Sequence, residues 1–469
     1  MSILAPPYVM EERRNYKEYL DQLLDEEGCF DPNQIAVMIS VVERQSVRRR
    51  DDFALKSWIS GRGAPIYNRE LKVGDKVVKN KINNKIQINM PKRLVKIRAG
   101  YLGGSPVKYT IDSDYYDGYP NSEDAIERAF QILDKFKRNS KLGSLHNETI
   151  KSCTAYGQAG RLMYAGVTPF NTEEAQLLCM FVPGYDCFFI YSEEWWRPEL
   201  SIRYITDDGK SFDVYDKKRV TKIRDGKVSE VQDHLMGWNP LIPYFNNSDA
   251  QGNIDDCFSK VNDLDEQRSN LSSLFTSQRL ILKIFQDVDV NEEEVDNTIQ
   301  NGYIKLTTDE NGNGKVYFEE LRIDSAPVET HIEKIEAAIY KDATVVNLED
   351  KTFGNESGEA KKFYLTTMES DCLETENSVM TSDAIMISVL ANWYNRQNTQ
   401  EVLVPESVKM SWSRNLPNSW KDEVDNFAKV WNKVPGERAY ELLSFIDDPS
   451  SEYAKFTEEQ EALYGPGPV

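Results

Sequence analysis

The chain has 469 residues, room for about three domains, and its 40% hydrophobic and 28% charged residues support a core and exclude wholesale disorder. The charge balance of 56 Lys and Arg against 77 Asp and Glu, net −21, excludes tight sequence-independent nucleic-acid binding over the whole surface. It does not exclude a surface past which DNA slides without sticking. Cys29, Cys153, Cys179, Cys187, Cys257 and Cys372 are scattered with no CxxC, which points to reduced, buried thiols rather than a disulfide framework. Met1 to Arg14 has no apolar core of a signal peptide, and no run approaches the ~18 apolar residues of a membrane span, so a soluble intracellular protein is expected.

In chain order, Glu11 to Glu26 and Pro32 to Ser46 read as two helices around a turn at Gly28, with Asp31 as N-cap of the second. Arg48-Arg49-Arg50 followed by Asp51-Asp52 reads as a solvated helix end, and residues 59–81 as an exposed loop. Met90 to Ala99 has helical spacing that Gly100 should end, and Val107 to Ile111 is strand-like. Glu123 to Lys137 is amphipathic, with Ala125, Ala129, Ile132, Leu133 and Phe136 on one side, and His146 to Leu162 is again helical. From Leu177 the texture turns to strands: 177–182, 187–191, 200–205, 211–215 and 220–223. Pro183-Gly184, Asp207-Asp208-Gly209 and Asp225-Gly226 punctuate them. An α+β domain therefore ends near Asn246-Asn247. Trp195-Trp196 fits a core or subunit contact better than a stacking platform for bases.

Two rods follow. From Ile254 to Phe285 the residues Ile254, Phe258, Val261, Leu264, Leu271, Leu274, Phe275, Ile281 and Leu282 form the stripe of an amphipathic helix. Roughly 28 residues make a rod about 42 Å long. Val328, Ile332, Ile335, Ile339 and Val346 repeat the pattern after Pro327, a good first-turn residue. Between the rods, Gln286 to Ile323 reads as a short helix and a β-hairpin, a small projecting module. Beyond them come a polar glycine-containing loop, Leu348 to Gly358, and a very long helix, Glu359 to Asn392. Strand-like 402–404 and 408–413, a helical pair at 420–431 and 438–445, and an acidic end complete the chain.

The search for chemistry is largely negative. There is no GxxxxGK[ST] loop, GxSxG elbow or HExxH, and Gly100-x-x-Gly103-Gly104 lacks the context of a dinucleotide fingerprint. His146, His234 and His331 form no close pairs, so a histidine centre could arise only by long-range assembly. Asp309, Asn311, Asn313, Gly314 and Glu320 satisfy the calcium-loop spacing, but alternating, strand-like segments flank them where helices are needed. Asn311-Gly312-Asn313-Gly314 suits a hairpin turn, since these residues tolerate positive φ. No enzyme activity, cofactor or metal is expected.

The order of parts resembles the portal proteins of long-tailed (siphovirus-type) bacteriophages and related prophages, over about residues 83–459. The likeness rests on Asn84-Lys85-Ile86 with Asn89, Gly100-Tyr101-x-Gly103 with Pro106-x-Lys108-Tyr109, Ala155-Tyr156-Gly157, Arg203-Tyr204 and Pro243 to Asn247. It rests also on the Leu271–Leu282 helix, Phe353 to Gly358, and Ser413 to Pro417. The first rod lacks the expected Asp-rich start, and the first 80 residues resemble no segment that can be placed. The resemblance implies a portal-type α+β subunit: a helical segment at 1–82, an α/β wing at 83–250, stem helices at 251–281 and 324–347, and a clip at 282–323. It further implies a tunnel loop at 348–358, a long helix with wing return at 359–416, and a helical crown with acidic tail at 417–469. Lys351, Thr352, Phe353, Gly354 and Asn355 would then line a DNA channel, and Tyr303, Lys305, Asn311, Asn313 and Tyr317 would form a docking surface on the clip. The partners implied are copies of the chain in a dodecameric ring, the terminase large subunit, a head-tail connector or adaptor, the major capsid and scaffold proteins, and double-stranded DNA. The place implied is one capsid vertex of the virion, after assembly in the host cytoplasm, with no membrane. The acidic surface and striped rods agree with such a ring, because acidic walls repel phosphates and rods bury stripes against neighbours. Two alternatives stay open: a non-portal coiled-coil structural or scaffold protein, and a calcium-binding module on the acidic loop.

Overall fold

In the computed structural model the described residues are 16–70, 72–73, 76–77, 82–119, 121–168, 171–192, 198–278, 282–286, 315–319, 325–347, 358–396, 402–415, 420–440, 442–443, 446 and 449–464. The chain divides into two compact units, 1–413 and 414–469.

The first unit is organised around a five-stranded antiparallel sheet in the order β10-β9-β8-β7-β6. Its strands are β6 (Cys187–Tyr191), β7 (Pro198–Tyr204), β8 (Phe212–Tyr215), β9 (Arg219–Arg224) and β10 (Lys227–Asp233). Alternation along these strands feeds two cores, because successive side chains point to opposite faces. Phe188, Ile190, Leu200, Ile202, Phe212, Val214 and Ile223 face the helical turn α1 (Leu20–Leu23) and the helix α2 (Ile35–Ile59). Cys187, Phe189, Tyr191 and Tyr215 face the other way, onto Leu162, Val182, Leu241 and Phe245. Those belong to a three-stranded sheet, β11-β4-β5, built from β4 (Gln158–Thr168), β5 (Asn171–Pro183) and β11 (Leu241–Phe245). The turn between β9 and β10 falls on Asp225 and Gly226, both with positive φ, the conformation a tight hairpin requires.

Two-residue strands β1 (Lys72–Val73) and β2 (Lys76–Val77) pair with each other. Helix α5 (Leu142–Tyr156) packs on the three-stranded sheet, α4 (Ser122–Asn139) touches β5, and α3 (Met90–Gly103) packs on α5, with β3 (Lys108–Ile111) between α3 and α4 in sequence. The later part of the unit holds α6 (Phe258–Gln278), the paired strands β12 (Leu282–Gln286) and β13 (Lys315–Glu319), α7 (Ala326–Asp342), the 38-residue α8 (Gly358–Asn395) and β14 (Val408–Ser411). β14 returns to pair antiparallel with β3. The second unit, α9 (Trp420–Val430), α10 (Gly436–Tyr440) and α11 (Pro449–Tyr464), is joined by aromatic contacts among Phe427, Trp431, Tyr440, Tyr453 and Phe456. All six cysteines are free and buried, as the scattered spacing suggests.

The mixed α+β class agrees with the sequence; several boundaries do not. Asp31 caps a short Pro32–Gln34 turn, and the helix behind it runs on to Ile59 rather than Ser46. Arg48 and Arg49 are therefore inside a helix and buried, not at a solvated end. Gly100 does not stop α3, which continues to Gly103; a Cβ at position 100 would meet nothing within 4 Å, so the helix passes through. The helix expected over 146–162 ends at Tyr156, because Gly157 takes φ 77° and its backbone lies against Ala250. The first rod stops at Gln278, and the alternating Leu282-Lys283-Ile284-Phe285 becomes a strand. The second member of the last helical pair shrinks to Gly436–Tyr440, and the acidic end is helical from Pro449. Trp195 and Trp196, and the strand-like segment 302–307 ahead of the turn at 311–314, lie outside the described residues.

Candidate functional site: a braced helical pair

α7 starts with Pro327 in its first turn, as expected, but both helices are shorter than their stripes: α6 spans Phe258–Gln278 and α7 ends at Asp342. The pair buries Val261 and Leu264 of α6 and Ile332, Ile339 and Tyr340 of α7, and Cys257, just before α6, donates its thiol to the Ile339 carbonyl. Polar contacts tie the base of the pair: Lys260 to Asp342, and His331 at 3.8 Å from Asp263.

Three buried arginines brace this pair and the long helix against the rest of the unit. Arg48 of α2 reaches Asp52 at 3.2 Å and Asp255, just before α6, at 3.1 Å, and donates to the Tyr156 carbonyl. Burial lowers its pKa, but the two carboxylates outweigh that and raise it. Arg98 of α3, fully buried, donates to Asp371 (2.8 Å) and Thr375 (2.7 Å) on α8, and to Thr154 and Asn246.

Arg161 of β4 is the centre of the third brace. It donates to Asp383 on α8 at 2.7 Å, to Thr149 at 3.0 Å and to Tyr244 at 3.2 Å. Asp383 also accepts from Tyr244 (2.7 Å) and Tyr109 (2.9 Å). Both tyrosine hydroxyls have pKa values well above the usual range, chiefly through burial. A guanidinium nitrogen of Arg161 lies 2.9 Å from His146 Nδ1, so Nδ1 accepts and the ring proton sits on Nε2. Burial first, and Arg161 second, push the His146 pKa down to about 4, which keeps the ring neutral. The sequence showed His146 without a close partner; the fold assembles it with an arginine and an aspartate. The assembly has no nucleophile aimed at a cleft and is a structural brace. Asp371 and Asp383 are twelve positions apart, about 18 Å along α8, so the long helix is fastened at two levels.

A fourth element runs along α6. Residues 82–89 form an extended strap whose backbone is held by α6 side chains. Ile88 N–H donates to Asp265 (2.7 Å), Ile86 N–H to Ser269 (2.9 Å) and Asn84 N–H to Ser273 (3.0 Å). The Asn84 side chain adds Ser272 and Thr276, each at 2.9 Å.

Of the expected site residues, Tyr317 is in β13, opposite Ile284 of β12. Tyr303, Lys305, Asn311, Asn313 and the loop residues Lys351, Thr352, Phe353, Gly354 and Asn355 lie outside the described residues, as do Asp309, Gly314 and Glu320. The sequence reading missed the three arginines and the strap. The signal for Arg48 was present, an Arg four positions before an Asp on one helical face. For Arg98 and Arg161 there was none, since their acids are more than 200 residues away.

Among the described residues no cluster of His, Cys, Asp and Glu could hold a metal ion, and no helix is long and apolar enough to cross a membrane. No curated protein matches the chain. A family model described as phage portal protein, SPP1 Gp6-like, matches residues 46–463. Because that match spans almost the whole sequence, the chain belongs to the SPP1 Gp6-like family of phage portal proteins, the type found in long-tailed phages.

Proposed function

We propose that copies of this chain close head-to-tail into a ring of about twelve at one capsid vertex, and that the ring is the channel for double-stranded DNA entering and leaving the head. The observation that carries this is the family match over residues 46–463. In this reading α6 and α7 are the stem, 282–323 the clip, 348–358 the loop that meets DNA, and 417–469 the crown. The clip, through Tyr303, Lys305, Asn311, Asn313 and Tyr317, docks the terminase large subunit during packaging and the head-tail connector afterwards. The outer part of unit 1 meets the capsid and scaffold proteins. The protein performs no chemistry of its own; the motor that binds it supplies the work.

Two physical points support this reading. Net charge −21 per subunit makes a wall that phosphates do not adhere to, so DNA slides. The buried arginine braces make each subunit stiff, as a ring that carries mechanical load requires. Mass photometry and negative-stain images of the purified full chain test the proposal. Rings of about a dozen subunits with an axial hole are expected, with no nucleotide turnover by the protein alone. Monomers at micromolar concentration, filaments, or stoichiometric ATP hydrolysis would overturn it.

A further inference from the structure

The strap and α6 fit by a coincidence of pitch. Strap residues 88, 86 and 84 meet helix residues 265, 269 and 273, so every second position of one faces every fourth of the other. Two extended residues advance about 6.6 Å and four helical residues about 6.0 Å, so the register survives three contacts. The helix side of this row is neutral hydroxyls except at Asp265.

Asp265 is fully buried. One carboxyl oxygen accepts the Ile88 N–H, and the other has no hydrogen-bond partner. The charged groups on the elements around it are otherwise engaged or make no ion pair with it. Lys85 of the strap donates to the Tyr67 carbonyl, Arg69 donates to Asn270, and His331 of α7 lies beside Asp263. On α6 itself Asp263 and Glu266 carry the same sign, and Arg268, whose buried Nε has no hydrogen-bond partner, makes no ion pair with Asp265 among the described residues. A buried carboxylate with no counter-charge is costly, so the neutral form is favoured. Burial raises the Asp265 pKa to about 7, against the opposing pull of the Ile88 N–H.

We propose that the strap and α6 form a proton-linked latch, closed over a neutral Asp265 and opening as that carboxyl ionises into water. In the closed state one oxygen accepts the Ile88 N–H while the other carries the proton. Lifting the strap hydrates the carboxyl, returns it to the ordinary range of about 3.9, and releases the proton to solvent. The closed form thus binds more protons than the open form between about pH 4 and pH 7. Opening therefore becomes easier as pH rises through that window, and levels off above it, where both forms are ionised. The latch stands on the geometry of α6 alone. Its use, as a regulator of how firmly the stem is held to the rest of the subunit, rests on the portal reading.

Amide hydrogen exchange on the full chain at pH 5, 6, 7 and 8, corrected for intrinsic rates, tests this. Protection of peptides over residues 82–89 should fall by up to about tenfold per unit from pH 5 to 7 and change little from 7 to 8, while peptides from α4 stay constant. Asp265→Asn should make strap protection independent of pH. Ser269→Ala should lower it at every pH and keep the wild-type slope. A pH-independent wild-type strap, or an Asp265→Asn strap that keeps the slope, overturns the latch. The wild-type profile alone decides the matter if Asp265→Asn does not fold. Ring counts by mass photometry on the same samples report the portal reading separately.

Discussion

Arg161 and Asp383, 222 residues apart in sequence, meet at 2.7 Å with both side chains wholly excluded from water. Removing one partner strands the other's charge in the interior. Asp383→Leu should therefore cost about 3–5 kcal/mol, and adding Arg161→Met should recover part of it, since a neutral pair of similar volume leaves no buried charge. Denaturant melting of the single and double variants checks this; a double variant as unstable as Asp383→Leu would contradict it.

His146 predicts a pH dependence. Its folded pKa of about 4 lies below its ordinary 6.5, so the unfolded chain binds more protons between those values. Its contribution is complete above about pH 6.5 and is lost as pH falls toward 4, by an amount on the order of 3 kcal/mol. His146→Gln should flatten the acid limb of the stability profile. Asp265 acts with the opposite sign over much of the same range, so Asp265→Asn should steepen that limb. Urea midpoints from pH 4 to 8 for the three proteins separate the two effects.

Two glycines should respond oppositely to a methyl group. At Gly157 φ is 77° and a Cβ would lie 2.0 Å from the Ala250 carbonyl oxygen, so Gly157→Ala should sharply reduce soluble folded protein. Gly100 lies within α3 with open space where a Cβ would go, so Gly100→Ala should raise stability by about 0.5–1 kcal/mol. Thermal melting of both variants gives the answer.

The loop 348–358 should matter to DNA more than to assembly. Lys351 is its only cation, so each subunit offers at most one weak phosphate contact, worth about one unit or less of salt dependence. Lys351→Ala should leave ring counts intact and change DNA retention modestly. Replacing 352–357 by a short glycine linker should impair packaging far more than assembly. Loss of rings with normal DNA handling in the survivors would make the loop a structural joint.

The calcium-like spacing at Asp309 to Glu320 should bind no calcium. Asp309→Asn with Glu320→Gln is expected to melt as the parent does, with or without the ion. A calcium-dependent rise of several degrees in the parent, absent in the variant, would restore the calcium-module alternative.

What the sequence displays of this fold is its local part. The stripe of α6, the proline start of α7, the amphipathic α4 and the strands around Asp225-Gly226 follow from spacing within a dozen residues. The boundaries it misplaces depend on neighbours far along the chain: Gly157 ends α5 where the Ala250 segment presses on it, and α2 runs past Ser46 because Arg48 finds Asp255. Of the braces, only the Arg48–Asp52 step was visible. Arg98, Arg161, His146 and Asp265 carry no local sign of burial. The strap could not be read either, since an extended segment bonded to hydroxyls of a helix has no periodicity of its own.

The distance in sequence between Arg161 and Asp383 also sets a schedule for synthesis. At about 5–20 residues per second, the ribosome needs about 11–44 s to travel from the arginine to its aspartate. Throughout that interval β4 and α5 exist without the carboxylate that neutralises their interior, and β3 waits longer still for β14. The nascent chain must therefore remain incompletely closed until α8 emerges. Its last-made third acts as the keystone, and a truncated product ending before Asp383 would leave a charged, open core for the host's quality-control machinery.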